Sequence, residues 1–225
     1  MAYDVIRNSD TIFIPMNVKL KAEKRGFTVI ELVVVAAIMT IISAIILANN
    51  NKYSANVVLQ NLAYDIALSV RQAQVYGISV YSDSPGVFNV GHGVHFSMAA
   101  PTLYYIFTDT NGNGKYDTGE AAKTFTMKNG FRLQKLCWTA TAGGAETCSA
   151  LSTTQLDILY IRPEPDAWIN PILNGVASLV CSVPVGGNQI CTLNKFGSRV
   201  VVLSPKGDTK SIISTQNGQI SVQTP

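Results

Sequence analysis

Residues 27–48 read FTVIELVVVAAIMTIISAIILA, an almost unbroken apolar run in which Glu31 is the one charged side chain. At 1.5 Å rise per residue a helix of this length spans about 33 Å, the thickness of a bilayer's hydrocarbon core. Such a segment can cross a membrane once. The preceding flank, MNVKLKAEKRG, is basic, and the positive-inside rule keeps it in the cytoplasm with the C-terminal bulk outside. The expectation is a single-pass inner-membrane protein, N-in and C-out. A secretory signal peptide would have a shorter apolar region and a small-residue cleavage site after it, whereas this run continues as helix into NNNKYSANVVLQ. A buried core helix has no need of so many consecutive apolar residues behind a basic block.

Charge is placed unevenly. Of the 17 basic and 14 acidic residues, residues 1–26 hold five and three, leaving 12 against 11 in the rest. A body this close to neutral, with only 14% charged residues, carries no field that would steer it to nucleic acid. With 225 residues and 47% apolar content the chain can bury a core without metal or disulfide staples.

Glu31 is the informative residue of the apolar run. A carboxylate at the end of such a span costs about 2 to 3 kcal/mol even with snorkelling, and such groups are usually paired and functional. Cleavage between Gly26 and Phe27 would create a cationic partner, since the new α-amine lies about one helical turn from Glu31 and has an ordinary pKa near ~8. The amine of a neighbouring molecule could serve equally. Lys24, Arg25, Gly26, Phe27 and Glu31, in the string KRGFTVIELVVVAAI, resemble the class III leader and processing site of type IV pilins and type II secretion pseudopilins. That resemblance implies removal of the leader after Gly26 and N-methylation of Phe27 by a prepilin peptidase. It also implies a filament in which Glu31 offsets the α-amine of Phe27 on an adjacent subunit. Many major pilins place a kinking proline where this chain has Ala48, so a straighter helix is expected here.

Beyond Asn49, Asn50 and Asn51, the apolar residues Leu59, Leu62, Ile66, Val70 and Ala73 recur at helical spacing, with Gln60, Asn61, Asp65, Arg71 and Gln72 between them. One long helix over 27–77 is expected, transmembrane over 27–48 and packed on a head in its second half. From Ile78 the pattern turns alternating and β-branched, through ISVYS, GVFNVGHGVHF, TLYYIFTD, AKTFTM, FRLQKLCW, LDILYIR, SRVVVLSP, TKSIIST and GQISVQ, with turn residues between. The fold class is α+β and pilin-like, with residues 1–26 a removable leader and 78–225 one β-rich extracytoplasmic head. VRQAQVYGISV and the C-terminal IISTQNGQISV resemble the H-type branch of minor pilins and pseudopilins. DNA-binding members of that branch carry a Gly-Arg-x-Arg element. Here Gly218, Gln219, Ile220 and Ser221 stand in its place, without either arginine. Lys195, Arg199, Lys206 and Lys210 form at most a small patch, of the kind that blunts a sheet edge.

Residues 109–120, DTNGNGKYDTGE, satisfy the twelve-residue calcium-loop spacing. Asp109, Asn111, Asn113, Asp117 and Glu120 put oxygen donors at positions 1, 3, 5, 9 and 12. Lys115 offers its carbonyl at 7, and Gly114 makes the turn at 6. The flanks read as strands, so this would be a metal loop closing a β-hairpin. Asn-Gly pairs also make hairpin turns without metal. Three carboxylates at these offsets weigh toward calcium, with modest affinity.

Cys137, Cys148, Cys181 and Cys191 all lie in the part expected outside the cytoplasm, where disulfides form. Local pairing, 137 with 148 and 181 with 191, is favoured because each pair flanks a Gly-rich, hairpin-like loop. The CxxC spacing of a zinc site is missing. His92 and His95 fall on opposite faces of a strand. Asp157, Glu164 and Asp166 read as strand-end and loop solvation, and no nucleophile, phosphate loop or acid/base pair can be nominated. An enzyme is not expected. The reading is a minor pilin or pseudopilin whose partners are other pilins, the prepilin peptidase and an inner-membrane assembly platform. A DNA-uptake tip pilin and an anchored calcium-dependent adhesin are the alternatives.

Overall fold

The computed structural model describes residues 26–79, 90–184 and 189–224, and for residues 48–54 the backbone alone. Lys24 and Arg25 of the leader, most of ISVYS and the centre of the PVGGNQ turn lie outside the described residues. The chain divides into two compact units, Met1–Ile46 and Leu47–Pro225. Helix α1, Val29–Ile78, contributes to both.

In the first unit every described residue is exposed. Val29–Leu47 is long and apolar enough to cross a membrane, and none of it is covered by protein. The described residues of the second unit form thirteen strands: β1 (His92–Ser97), β2 (Leu103–Thr108), β3 (Ala121–Thr126), β4 (Arg132–Thr139), β5 (Glu146–Ser149), β6 (Thr154–Tyr160), β7 (Ala167–Leu173), β8 (Val176–Ala177), β9 (Val180–Ser182), β10 (Ile190–Thr192), β11 (Gly197–Leu203), β12 (Thr209–Thr215) and β13 (Ile220–Gln223). They form a six-stranded sheet in the order β3-β2-β1-β6-β7-β8, a five-stranded sheet in the order β13-β12-β11-β4-β5, and a separate β9–β10 ribbon. All pairings are antiparallel. This is the α+β, pilin-like arrangement expected from the sequence: a long N-terminal helix followed by a β-rich head.

The core follows from the helical spacing. Leu59, Ala63, Ile66, Val70 and Ala73 of α1 are fully buried in one apolar cluster with Val94 and Phe96 of β1, Ile106 of β2, Leu156, Ile158 and Tyr160 of β6, and Leu133, Leu136, Val200 and Val202 of the five-stranded sheet. Strand alternation turns the other residues of the six-stranded sheet to its opposite face. There Phe107, Leu159 and Ile161 form a second cluster with Leu179 and Cys191, joined by Tyr116, Trp168 and Cys181. The six-stranded sheet is thus covered on both faces, by α1 and the other sheet on one side and by the β9–β10 ribbon and the 109–120 loop on the other.

Double coverage explains why β1 and β6 are buried almost without interruption rather than alternately. Strands β5, β7, β8, β9 and β10 are additional to the segments expected from the sequence. β7 carries Pro171, which ordinarily demotes a strand. Here β8 pairs only with Ile172 and Leu173, so Pro171 lies just past the end of that ladder.

Candidate functional site

Two regions carry candidate chemistry. In the first, Gly26 and Phe27 are exposed ahead of α1, with Phe27 80% accessible. Thr28 starts the helix: its Oγ1 accepts the amide of Glu31 at 3.3 Å and its carbonyl accepts Leu32 N–H at 3.1 Å. Thr28 and Glu31 stand at capping-box spacing. A cap of this kind matters most where no water can satisfy the first amides of a helix. Glu31 itself is exposed in the first turn, where a carboxylate also favours the positive end of the helix dipole.

The second region is the loop between β2 and β3. Asp109 is fully buried, and its carboxylate accepts Asn113 N–H at 3.1 Å, Gly114 N–H at 2.7 Å and the side-chain amide of Gln189. Burial pushes its pKa up to about 6, against the pull of Gln189 and Gly114, with Glu120 adding to the rise. Asn111 and Asn113 each accept a backbone amide two residues on, from Asn113 and Lys115, at 3.0 Å. Both donate to Asp117, at 2.8 and 2.6 Å. For Asp117 the slight burial that would raise its pKa is outweighed by these two side chains and by Lys115, 3.1 Å away, so the group is held below its ordinary value. Glu120 closes the loop: one oxygen accepts Thr110 N–H and Oγ1–H at 2.9 and 2.8 Å, the other Asp117 N–H at 2.9 Å. The donor set consists of oxygens, three of them carboxylates, which fits a hard cation. Its carboxylates are at present bonded to amide and hydroxyl donors, which a cation would have to share or displace.

What holds this loop was not read from the sequence. Directly opposite one another across β2, β1, β6 and β7 stand Tyr105, His95, Asp157 and Asn170, all on the sheet face away from α1. Asp157 bonds His95 Nδ1 with one oxygen and accepts Tyr116 N–H at 2.9 Å with the other. Asn170 donates to Gly114 C=O at 2.8 Å. The Tyr116 ring stacks on Tyr105 at 5.3 Å and lies 4.5 Å from His95. Asp157 is therefore not a solvated strand-end residue, as the sequence suggested, but a buried anchor of loop backbone. A charge inside the apolar run LDILYIR was the available signal. His92 lies on the other face, edge-on to Tyr76 of α1.

Disulfides join Cys137 to Cys148 and Cys181 to Cys191, leaving no free cysteine. Each pair sits directly opposite across adjacent antiparallel strands, β4 with β5 and β9 with β10. Arg199 of the small basic patch is paired with Glu146 at 3.0 Å.

An uncovered apolar helix opened by Thr28 and bearing one acid, continuing into a helix packed on antiparallel sheets, is a pilin-like arrangement. In agreement, residues 21–47 match the family described as the prokaryotic N-terminal methylation motif. No curated protein and no solved structure matches the chain.

Proposed function

We propose that this chain is a minor pilin or pseudopilin, a structural subunit cut after Gly26, N-methylated on Phe27 by a prepilin peptidase, and packed through its apolar helix into a type IV pilus-like or type II secretion filament. The observation that carries this reading is the fully uncovered apolar segment of α1 with Glu31 as its single charge, lying within the match to the methylation motif. A segment bare on all sides needs lipid before assembly and neighbouring helices after it, and one acid per subunit gives a register that an α-amine can read. The inner-membrane assembly platform would move it from the first setting to the second. H-type membership rests on the VRQAQVYGISV and IISTQNGQISV strings. DNA capture is not favoured, because Arg199 is engaged by Glu146 and residues 218–221 contain no arginine. The role is structural and non-enzymatic. Mass spectrometry of the cell-derived protein tests the proposal: a mature chain beginning with methylated Phe27 is expected, and a functional chain that keeps its leader overturns it.

The same proposal gives the head a calcium site. Asp109, Asn111, Asn113, Asp117 and Glu120 would supply side-chain oxygens and Lys115 its carbonyl. A bound cation would neutralise carboxylates that now converge on one loop. Calorimetric titration of the full chain with calcium tests it, and absence of binding at millimolar calcium sinks it.

A further inference from the structure

The β9–β10 ribbon is too short to stand alone. Each strand is three residues long, and among the described residues the two pair only with each other. Two-stranded hairpins of this size are marginal in water. The Cys181–Cys191 bridge joins them face to face. The ribbon lies directly on the loop: a Cβ at Gly114 would come within 2.3 Å of Cys181 Sγ, and one at Gly112 within 2.1 Å of Val183 Cγ2. Next to the bridge is Gln189, buried, which accepts Gly91 N–H at 2.8 Å and donates to the Asp109 carboxylate. The path from disulfide to loop position 1 is therefore two residues and one hydrogen bond.

The Cys137–Cys148 bridge makes no such connection. It spans β4 and β5 at the edge of the other sheet. We infer that Gln189 and the Cys181–Cys191 ribbon are positioning elements of the 109–120 loop, setting the orientation of the Asp109 carboxylate and thereby the loop's affinity for a divalent cation, whereas Cys137–Cys148 serves general stability. This rests on the calcium reading of the loop for its ligand, but not for its geometry.

The test uses the full chain in detergent micelles and two measurements. Amide hydrogen exchange of the metal-free protein reports the loop itself, and calcium titration reports affinity. Cys181→Ala with Cys191→Ala should raise exchange at residues 110–118 by about tenfold or more, the loss of roughly one buried hydrogen bond's worth of protection. It should weaken calcium binding by about the same factor. Cys137→Ala with Cys148→Ala should leave both within about twofold while lowering the melting temperature. Gln189→Met keeps the volume and removes both hydrogen bonds. It should speed exchange at Asn113 and Gly114 without unfolding the head, and so decides the matter should the double cysteine variant fail to fold. Equal loop exchange in both cysteine variants, or unchanged exchange in Gln189→Met, overturns the inference. A wild-type chain that binds no calcium overturns the ligand assignment alone, because the exchange measurement contains no metal.

Discussion

Two stretches of one helix make opposite demands on their surroundings. Over Val29–Leu47 no side chain is covered, whereas over residues 59–73 every third or fourth side chain is sealed into the core. The backbone hydrogen bonding is the same in both, and the difference lies in which residues occupy the repeat. In the second stretch Gln60, Asn61, Asp65 and Arg71 break the apolar residues into a stripe, which fixes one face toward the sheets. In the first there is no polar face to break the symmetry, so nothing in the chain itself prescribes an inward side. A helix that is apolar all round is satisfied only by lipid or by other helices. Glu31 is its one charge, and Thr40 and Ser43 are its other polar side chains.

Four measurements can break or sharpen this contrast. The largest effect is expected from Glu31→Ala, which should abolish incorporation into filaments while the head keeps its melting temperature. Normal incorporation would mean that the acid plays no part in assembly. Next, Ile66→Ala should destabilise the head by about 3 kcal/mol through a core cavity, whereas Ile38→Ala should change it by less than about 0.5 kcal/mol. Comparable losses from the two would erase the distinction between the stretches. Third, calcium at a hundredfold excess over its dissociation constant should stabilise the head by about 2.7 kcal/mol. Chelation or Asp109→Ala should remove that gain, and Glu31→Ala should not. A chelator-insensitive melt of calcium-loaded protein would count against the site.

The smallest effect concerns protons. Asp109 has its pKa raised from 3.8 to about 6 by burial, so the folded chain favours the neutral acid. The stabilisation that follows is complete below the unfolded value and is lost as pH rises through 6. Metal-free protein should therefore lose about 1 kcal/mol of stability from this group between pH ~5 and ~7, and Asp109→Asn should flatten that slope. A slope unchanged by the substitution would place its origin elsewhere.

Much of this was legible from local pattern. The heptad-like recurrence of Leu59, Ile66, Val70 and Ala73 specifies a buried helical face, and the alternation in LDILYIR, SRVVVLSP and TKSIIST specifies strands. The cysteine pairing favoured by the Gly-rich, hairpin-like loop within each pair is the one the strands make. Less legible were the elements whose identity depends on partners distant in sequence. β7 is a strand because β6 pairs with its whole length, which outweighs Pro171. Asp157 and Asn170 have roles only because cross-strand register sets them side by side, and Gln189 acts across a sequence gap of 80 residues from Asp109. The twelve-residue spacing announced the loop but said nothing of its supports.

One such support limits how far the loop can be treated as a unit. With Val183 standing where a side chain at position 112 would go, and a sulfur where one at 114 would go, the glycines answer to an overlying neighbour as well as to backbone turns. Grafted onto a foreign hairpin, the dodecapeptide would arrive without its ceiling and without the row of side chains beneath it, and would sample many shapes where here it holds one.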